Sequence, residues 1–342
     1  MQNSDIYPAF EENNIPVVIA SSNMYAPYAG VFIQSLIDYV NDTKNYDVII
    51  FERGISAENK RLLKSYESGR TNISIRFYNP SPLFLDYNIL ERDFPLESYY
   101  SIIAPHIMMR YKRIITANID MLLKTDIATL LEVDLAGSCL GGVYDMFVPG
   151  FCLNDVSLDR GRITAKDHFQ KVCGLENIQY YINGGLLVFD CEKYIQRLSV
   201  RTLLDTAQRQ QFLFVDQDTL NYLLKGEIAP IDYAWNIMIP CNARTAADVR
   251  AGDQKLHGAY TRATKTPYLL HWAGKPKPWV CPDVPYGNEW WDVAKRTPFM
   301  GHIIARMIDE LQKRGEYYKN RYGQNVAVWN PMPNVDRSKK QS

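Results

Sequence analysis

The chain has 342 residues, of which 46% are hydrophobic, 12% aromatic and 22% charged, a balance that buries a large core and excludes wholesale disorder or collagen-like structure. Thirty-eight basic and 38 acidic residues leave no formal net charge, which argues against a protein built to grip nucleic acid. No run of about 18 apolar residues occurs and the N-terminus lacks a signal-peptide pattern, so a cytoplasmic protein is expected, its six cysteines free and buried.

Residues 15–21 (IPVVIAS) are a short apolar run, read as a buried strand. Residues 28–40 predict a mostly buried helix, and 47–51 (DVIIF) a second strand. Ser56 is placed to cap a helix through Leu62, Leu63 and Tyr66 that stops at Gly69. Residues 72–78 (NISIRFY) alternate with period two. A helix is expected near 98–109, bent or interrupted by Pro105, and 113–117 (RIITA) is a further strand. This alternation predicts a parallel sheet with helices on both faces.

Further on, 138–144 and 184–189 read as strands. The turn-rich stretch between them, 147–179, is expected to be irregular, mobile and functional. Helices are expected at 191–208 and 217–224, a strand at 268–272 (YLLHW), and a basic amphipathic helix at 302–322. No repeat appears. The Gly-x-Gly-x-x-Gly fingerprint and the Walker A pattern are both missing, so a nucleotide-binding sheet must use another device.

Four polar clusters lie at strand ends. In Thr116-Ala-Asn-Ile-Asp120, Asn118 and Asp120 are two apart and offer oxygen donors to a hard divalent cation; the same residues also describe a plain strand-to-loop turn. Asn183, in YINGG, either meets a hydroxyl-rich ligand or marks a hairpin. In Asp216-Gln-Asp218, a carboxylate and an amide suit a sugar pocket, and equally suit a helix start. His271-Trp-Ala-Gly-Lys-Pro-Lys-Pro-Trp279 combines a strand-end His, a Gly and two proline-held lysines, which suit a diphosphate or a solvated loop.

Taken in order, these clusters resemble glycosyltransferase family 8, which includes bacterial lipooligosaccharide galactosyltransferases and glycogenin. The resemblance covers 15–279 and rests on Ala20-Ser-Ser-Asn-Met-Tyr25, Asn118-Ile-Asp120, Asp145 in GGVYDMF, YINGG, the DQD segment and the closing His271–Trp279 nonapeptide. It implies a GT-A fold, a mixed and mostly parallel α/β sheet flanked by helices. An N-terminal extension (1–14), a catalytic domain (15–282) and a C-terminal helical and basic segment (283–342) would follow. It also implies retaining transfer of glucose or galactose from a UDP-sugar to a glycan or glycolipid acceptor, with Mn2+ or Mg2+. Asp120 and His271 would ligate the metal, with Asn118 where relatives carry the first Asp. Ala20, Ser22 and Tyr25 would frame the uridine, and Gly274 and Lys277 would hold the diphosphate. Asp145, Asn183, Asp216 and Gln217 would line the sugar, Gln217 nearest the reacting face.

Three positions depart from the family pattern: Asn118 for Asp, Ser22 for Asp, and Ser101 in YYSIIAP for a frequent Arg. They leave a competing expectation, a catalytically impaired nucleotide-sugar-binding or partner-binding protein on the same fold. The segment 301–342 holds eight Lys or Arg against four Asp or Glu, interleaved with tyrosines, which suits peripheral contact with an anionic membrane.

Overall fold

The computed structural model describes residues 6–89, 94–209, 212–252 and 254–322. The first strands and helices alternate as β1 (Asn14–Ser22), α1 (Ala26–Ile37), β2 (Asn45–Arg53), α2 (Ala57–Lys64) and β3 (Ile73–Tyr78). Then come α3 (Tyr100–Ile107), β4 (Arg113–Ala117), β5 (Met121–Leu123), β6 (Leu140–Tyr144), α4 (Val148–Leu153), β7 (Ser157–Leu158), β8 (Ile163–Thr164) and α5 (Ala165–Asp167). The second half contains β9 (Ile182–Asp190), α6 (Cys191–Arg197), α7 (Val200–Arg209), α8 (Val215–Leu223), β10 (Ala229–Pro230), β11 (Ile237–Met238), α9 (Ala243–Ala251), α10 (Gln254–Ala263), β12 (Leu269–His271), α11 (Gly287–Ala294) and α12 (Met300–Tyr322).

Seven strands form the main sheet in the order β10-β6-β9-β4-β1-β2-β3. Successive side chains of a strand point to opposite faces, and the two apolar clusters show it. Val17 and Ile19 of β1 pack with α1, while Val18 packs with α3 on the other face; Val48 and Ile50 of β2 divide from Ile49 and Phe51 in the same way. Burial on both faces is why these strands read as continuous apolar runs. Ser56 caps α2, accepting from the Asn59 N–H. Gly30 lets α1 approach the C-terminal helix: a Cβ there would lie 2.4 Å from the Phe299 ring.

The sheet is mixed, not wholly parallel. β9 runs antiparallel to both β4 and β6. This reversal brings the N-terminal end of β9 beside the carboxyl ends of β4 and β6, with Leu186 opposite Ala117 and Ile182 opposite Tyr144. A second sheet, β11-β12-β5, sets His271 opposite Met121 in antiparallel register. Asp120 and His271 become neighbours through that pairing.

Other expectations change in detail. The helix expected at 191–208 is two helices, broken where Ser199 Oγ accepts from the Thr202 N–H and starts the second. Pro105 sits in the last turn of α3 and does not split it. The stretch 147–179 is folded: α4, the β7–β8 hairpin and α5 surround an apolar cluster of Phe169, Tyr181, Phe212 and Cys152. All six cysteines are free and five are buried. Among the described residues no helix is long and apolar enough to cross a membrane. Three of the eight basic residues of the segment 301–342, Arg337, Lys339 and Lys340, lie outside the described residues.

Candidate active site

The carboxyl ends of β1, β4 and β6 and the start of β9 share one edge of the sheet, the edge where open α/β sheets bind ligands. Asp120 lies between β4 and β5 at that edge. Its Oδ1 is 3.3 Å from His271 Nε2, and its Oδ2 is 2.5 Å from Lys277 Nζ. Burial alone would raise the Asp120 carboxyl, but Lys277 and His271 outweigh it and hold the group well below the usual carboxylate range. Lys277 Nζ also donates to the carbonyls of Trp272 and Ala273.

The second half of the site is a network of amides around Asp145. Asp145 Oδ1 accepts from the N–H groups of Phe147 (2.8 Å) and Val148 (3.2 Å). Its Oδ2 accepts from Asn183 Nδ2 (3.0 Å) and Gln217 Nε2 (3.1 Å). Bonds to a charged acceptor are worth about 1.5–3 kcal/mol each and offset the cost of removing the carboxylate from water. The balance still favours the neutral acid relative to water, since burial pushes the Asp145 carboxyl up. Gln217 Oε1 accepts from the Gly184 N–H at 2.8 Å and from Asn183 Nδ2 at 3.1 Å, so both ends of this carboxamide are fixed.

The two halves are joined. His271 Nδ1 lies 2.8 Å from Asn236 Oδ1, and Asn236 Nδ2 donates to Asn183 Oδ1 at 2.9 Å. Sequence reasoning missed Asn236, because a single Asn after Tyr-Ala-Trp carries no spacing signal. It also missed Gly185, whose missing Cβ leaves room for both His271 and Asn183: a Cβ would lie 2.5 Å from His271 Cε1 and 2.8 Å from Asn183 Oδ1.

Asp216 is placed at the start of α8, next to Val215, whose φ of +34° is strained for a β-branched residue by about 1–3 kcal/mol. Asp216 Oδ2 accepts from Ser101 Oγ at 2.7 Å. Burial pushes the Asp216 carboxyl up to about 7. Asp218 points elsewhere. It is fully buried, and its oxygens accept from Leu213 N, Phe214 N, Tyr181 Oη and His168 Nε2. His168, Cys173 and Asp218 converge closely enough to hold a metal ion, but these four donors already satisfy the Asp218 carboxylate.

The remaining expected residues line the same edge. Ala20 and Ser22 end β1, and the Ser22 carbonyl accepts from Tyr25 N at 3.1 Å. Tyr25 is 39% exposed and meets Tyr28 edge-on. Asn118 is exposed and donates its backbone N–H to the Gly185 carbonyl. Nothing lies within 4 Å of where a Gly274 Cβ would sit, so the backbone there is open to approach. A cleft of about 1560 Å3 opens beside Lys277, between Tyr25, Asn242 at the head of α9 and Arg306 of α12. Cys152, Cys191 and Cys241 are poor nucleophiles: burial pushes the first two thiols up to about 12 and the third to about 11.

Asp120 and His271 offer a carboxylate oxygen and a ring nitrogen, donors that divalent cations take. The Lys277 ammonium already sits among Asp120 Oδ2 and two carbonyls, which marks the place as one that favours positive charge. The residues present therefore fit a divalent cation.

The family model described as glycosyl transferase family 8 matches residues 16–281. The chain belongs to glycosyl transferase family 8. General stress protein A of Bacillus subtilis is 21% identical over 272 residues, covering 77% of this chain and 86% of that protein. Lipopolysaccharide 1,2-glucosyltransferase of Escherichia coli is 23% identical over 216 residues, 59% of this chain and 55% of that one. The solved structure of the bifunctional glycosyltransferase WbbM in its apo form superimposes with a TM-score of 0.80 at 25% identity, covering 89% of this chain and 53% of that chain. The galactosyltransferase LgtC, solved with donor and acceptor sugar analogs, superimposes with a TM-score of 0.65 at 21% identity, covering 83% and 96%. This chain thus spans about half the length of WbbM. The mixed sheet is the GT-A fold that these glycosyltransferases share, as the sequence resemblance implied.

Proposed function

We propose that this family 8 protein transfers glucose or galactose, with retention, from a UDP-sugar to a glycan or glycolipid acceptor, using a divalent cation such as Mn2+. The observation that carries the reading is the hydrogen-bonded path from His271 through Asn236 to Asn183, Asp145 and Gln217, with Asp120 3.3 Å from the other ring nitrogen of His271. A nucleotide sugar needs both ends of that path: a seat for positive charge at its diphosphate, and converging amides and carboxylates at its sugar hydroxyls.

In this reading Asp120 and His271 hold the cation, with Asn118 beside them. When bound, the cation supplies positive charge to the leaving diphosphate. Lys277, once released from Asp120, adds a preorganised donor to the same group. Ala20, Ser22 and Tyr25 frame the uridine at the end of β1, and the open side of Gly274 admits the diphosphate. Asn183, Asp145 and Asp216 hold the sugar. Gln217, tethered at both ends, presents a fixed dipole to it. The acceptor hydroxyl attacks from the leaving-group side and its proton passes to the departing phosphate, so the paired carboxylates of a hydrolase are not required. The cleft beside Lys277 exceeds the roughly 300–1,000 Å3 of an ordinary small-ligand pocket, which leaves room for an acceptor next to the donor.

The test is release of UDP from UDP-glucose and UDP-galactose, with and without Mn2+, with the anomeric configuration of the product read by NMR. Mn2+-dependent release and an α product from the α donor are expected. The second reading, a binding protein without turnover, is favoured by Lys277 sitting on Asp120. UDP binding without release from any UDP-hexose would establish it instead.

A further inference from the structure

Asn236 is fully buried and touches both halves of the site. It follows the short turn Tyr233–Trp235 and leads into β11. The direction of its amide is settled by a group that can act in only one way. The Gly185 backbone N–H is a donor, and it meets Asn183 Oδ1 at 3.0 Å, so that atom of Asn183 is the oxygen. The Asn236 atom that faces the same oxygen at 2.9 Å is therefore the amide nitrogen. The other terminal atom of Asn236 is an acceptor, 2.8 Å from His271 Nδ1. The hydrogen in that contact must come from the ring. Nδ1 carries it, and Nε2 is the ring atom turned to Asp120.

We propose that Asn236 is a positioning residue: it fixes His271 as the Nδ1–H tautomer, so that Nε2 faces a cation shared with Asp120, and it ties that seat to the Asn183 amide of the sugar pocket. This rests on the reading of the site given above. A histidine that ligates a metal generally donates its second ring N–H to an oxygen, and loss of that partner weakens metal binding about 10–100-fold. Here the oxygen belongs to a side chain whose other end contacts the sugar-pocket amide, so one residue sets the geometry of both.

The experiment is Mn2+ titration of the full chain by calorimetry without donor, alongside thermal melts and the KM for the UDP-hexose. Asn236→Leu removes both bonds and is expected to lower Mn2+ affinity by about 10–100-fold. Asn236→Asp keeps an oxygen for the His271 Nδ1–H but has no donor for Asn183 Oδ1. It should hold Mn2+ within about threefold of the unsubstituted chain while KM for the UDP-hexose rises about tenfold or more. That split is the signature of positioning. Mn2+ affinity falling equally in both variants, in step with their melting temperatures, would mark a residue that only fills space and would overturn the proposal. So would Asn236→Leu protein that binds Mn2+ like the unsubstituted chain. If Asn236→Leu does not fold, Asn236→Asp decides alone: retained Mn2+ affinity with raised KM supports the proposal, and lost Mn2+ affinity overturns it. An unsubstituted chain that binds no Mn2+ would defeat the reading of the site itself, a different failure.

Discussion

The Lys277 ammonium pairs with the Asp120 carboxylate at 2.5 Å, on the same side chain that faces His271. In the proposed reading a divalent cation arriving at Asp120 displaces it, which leaves the lysine for the diphosphate. Lys277→Met removes the competitor and the later donor together. Mn2+ affinity in the absence of donor should rise, while kcat/KM should fall on the order of 10²-fold, as for loss of one preorganised donor. Calorimetry and steady-state kinetics read the two effects. A kcat/KM change below about threefold would mean a solvated loop lysine instead.

Gly185→Ala tests the packing of the site from beneath. The added methyl would lie 2.5 Å from His271 Cε1 and 2.7 Å from Met121 Cε, so His271 or Asn183 must shift. Overpacking of this kind costs about 1–3 kcal/mol, and here the displaced groups are the site itself. Mn2+ affinity and turnover should both fall about tenfold or more, since small misplacements of such groups are costly. Unaltered Mn2+ binding would show that the ring position is unimportant.

Asp216 makes the stability of the chain depend on pH. Burial, with a contribution from Asp218, raises its carboxyl from 3.8 to about 7, and the Ser101 hydroxyl opposes the shift. The folded state then binds this proton more tightly than the unfolded state. Stability falls as pH rises between the two values, and the penalty is complete above about 7. Asp216→Asn keeps an acceptor for Ser101 and removes the penalty. The variant should melt higher than the unsubstituted chain near pH 8, with the gain shrinking toward about pH 4. A difference in melting temperature that does not vary with pH would contradict this.

The C-terminal segment is proposed to touch anionic membranes. α12 continues to Tyr322, and the basic residues beyond it add to a net positive segment in a neutral chain. The full chain should co-sediment with anionic vesicles in a salt-sensitive way, and a chain truncated after Arg314 should do so less. Equal sedimentation of the two would remove the membrane from the picture.

The parts of the fold that sequence revealed are those where burial acts on both faces. β1, β2 and β4 are apolar runs because helices cover each side, and Ser56 marks the start of α2 because a side-chain oxygen was needed there. The direction of β9 was not legible, since an apolar run buried on both faces looks the same in either direction. β5 and β11 have three and two residues and leave no periodic signal, and although 268–272 reads as the strand that holds β12, its antiparallel pairing with β5, which puts His271 next to Asp120, is not legible. The turn-rich composition of 147–179 concealed the stacking of Phe169 on Phe214 beneath it. Asn236 could be recognised only once the fold brings the residue before β11 against Asn183 of β9 and His271 of β12. Asp145, Asn183 and Gln217 were named from motifs, but their mutual bonding is a property of the folded edge.

Binding of UDP to the full chain, measured by calorimetry with and without Mn2+ in the unsubstituted and Asp120→Ala proteins, bears most directly on the assignment of Asp120 and His271 as the cation seat. The unsubstituted chain should bind UDP at least about tenfold more tightly with Mn2+ present, and Asp120→Ala should lose that enhancement while its melting temperature without metal stays within a few degrees. Mn2+-enhanced binding that survives intact in Asp120→Ala would contradict it.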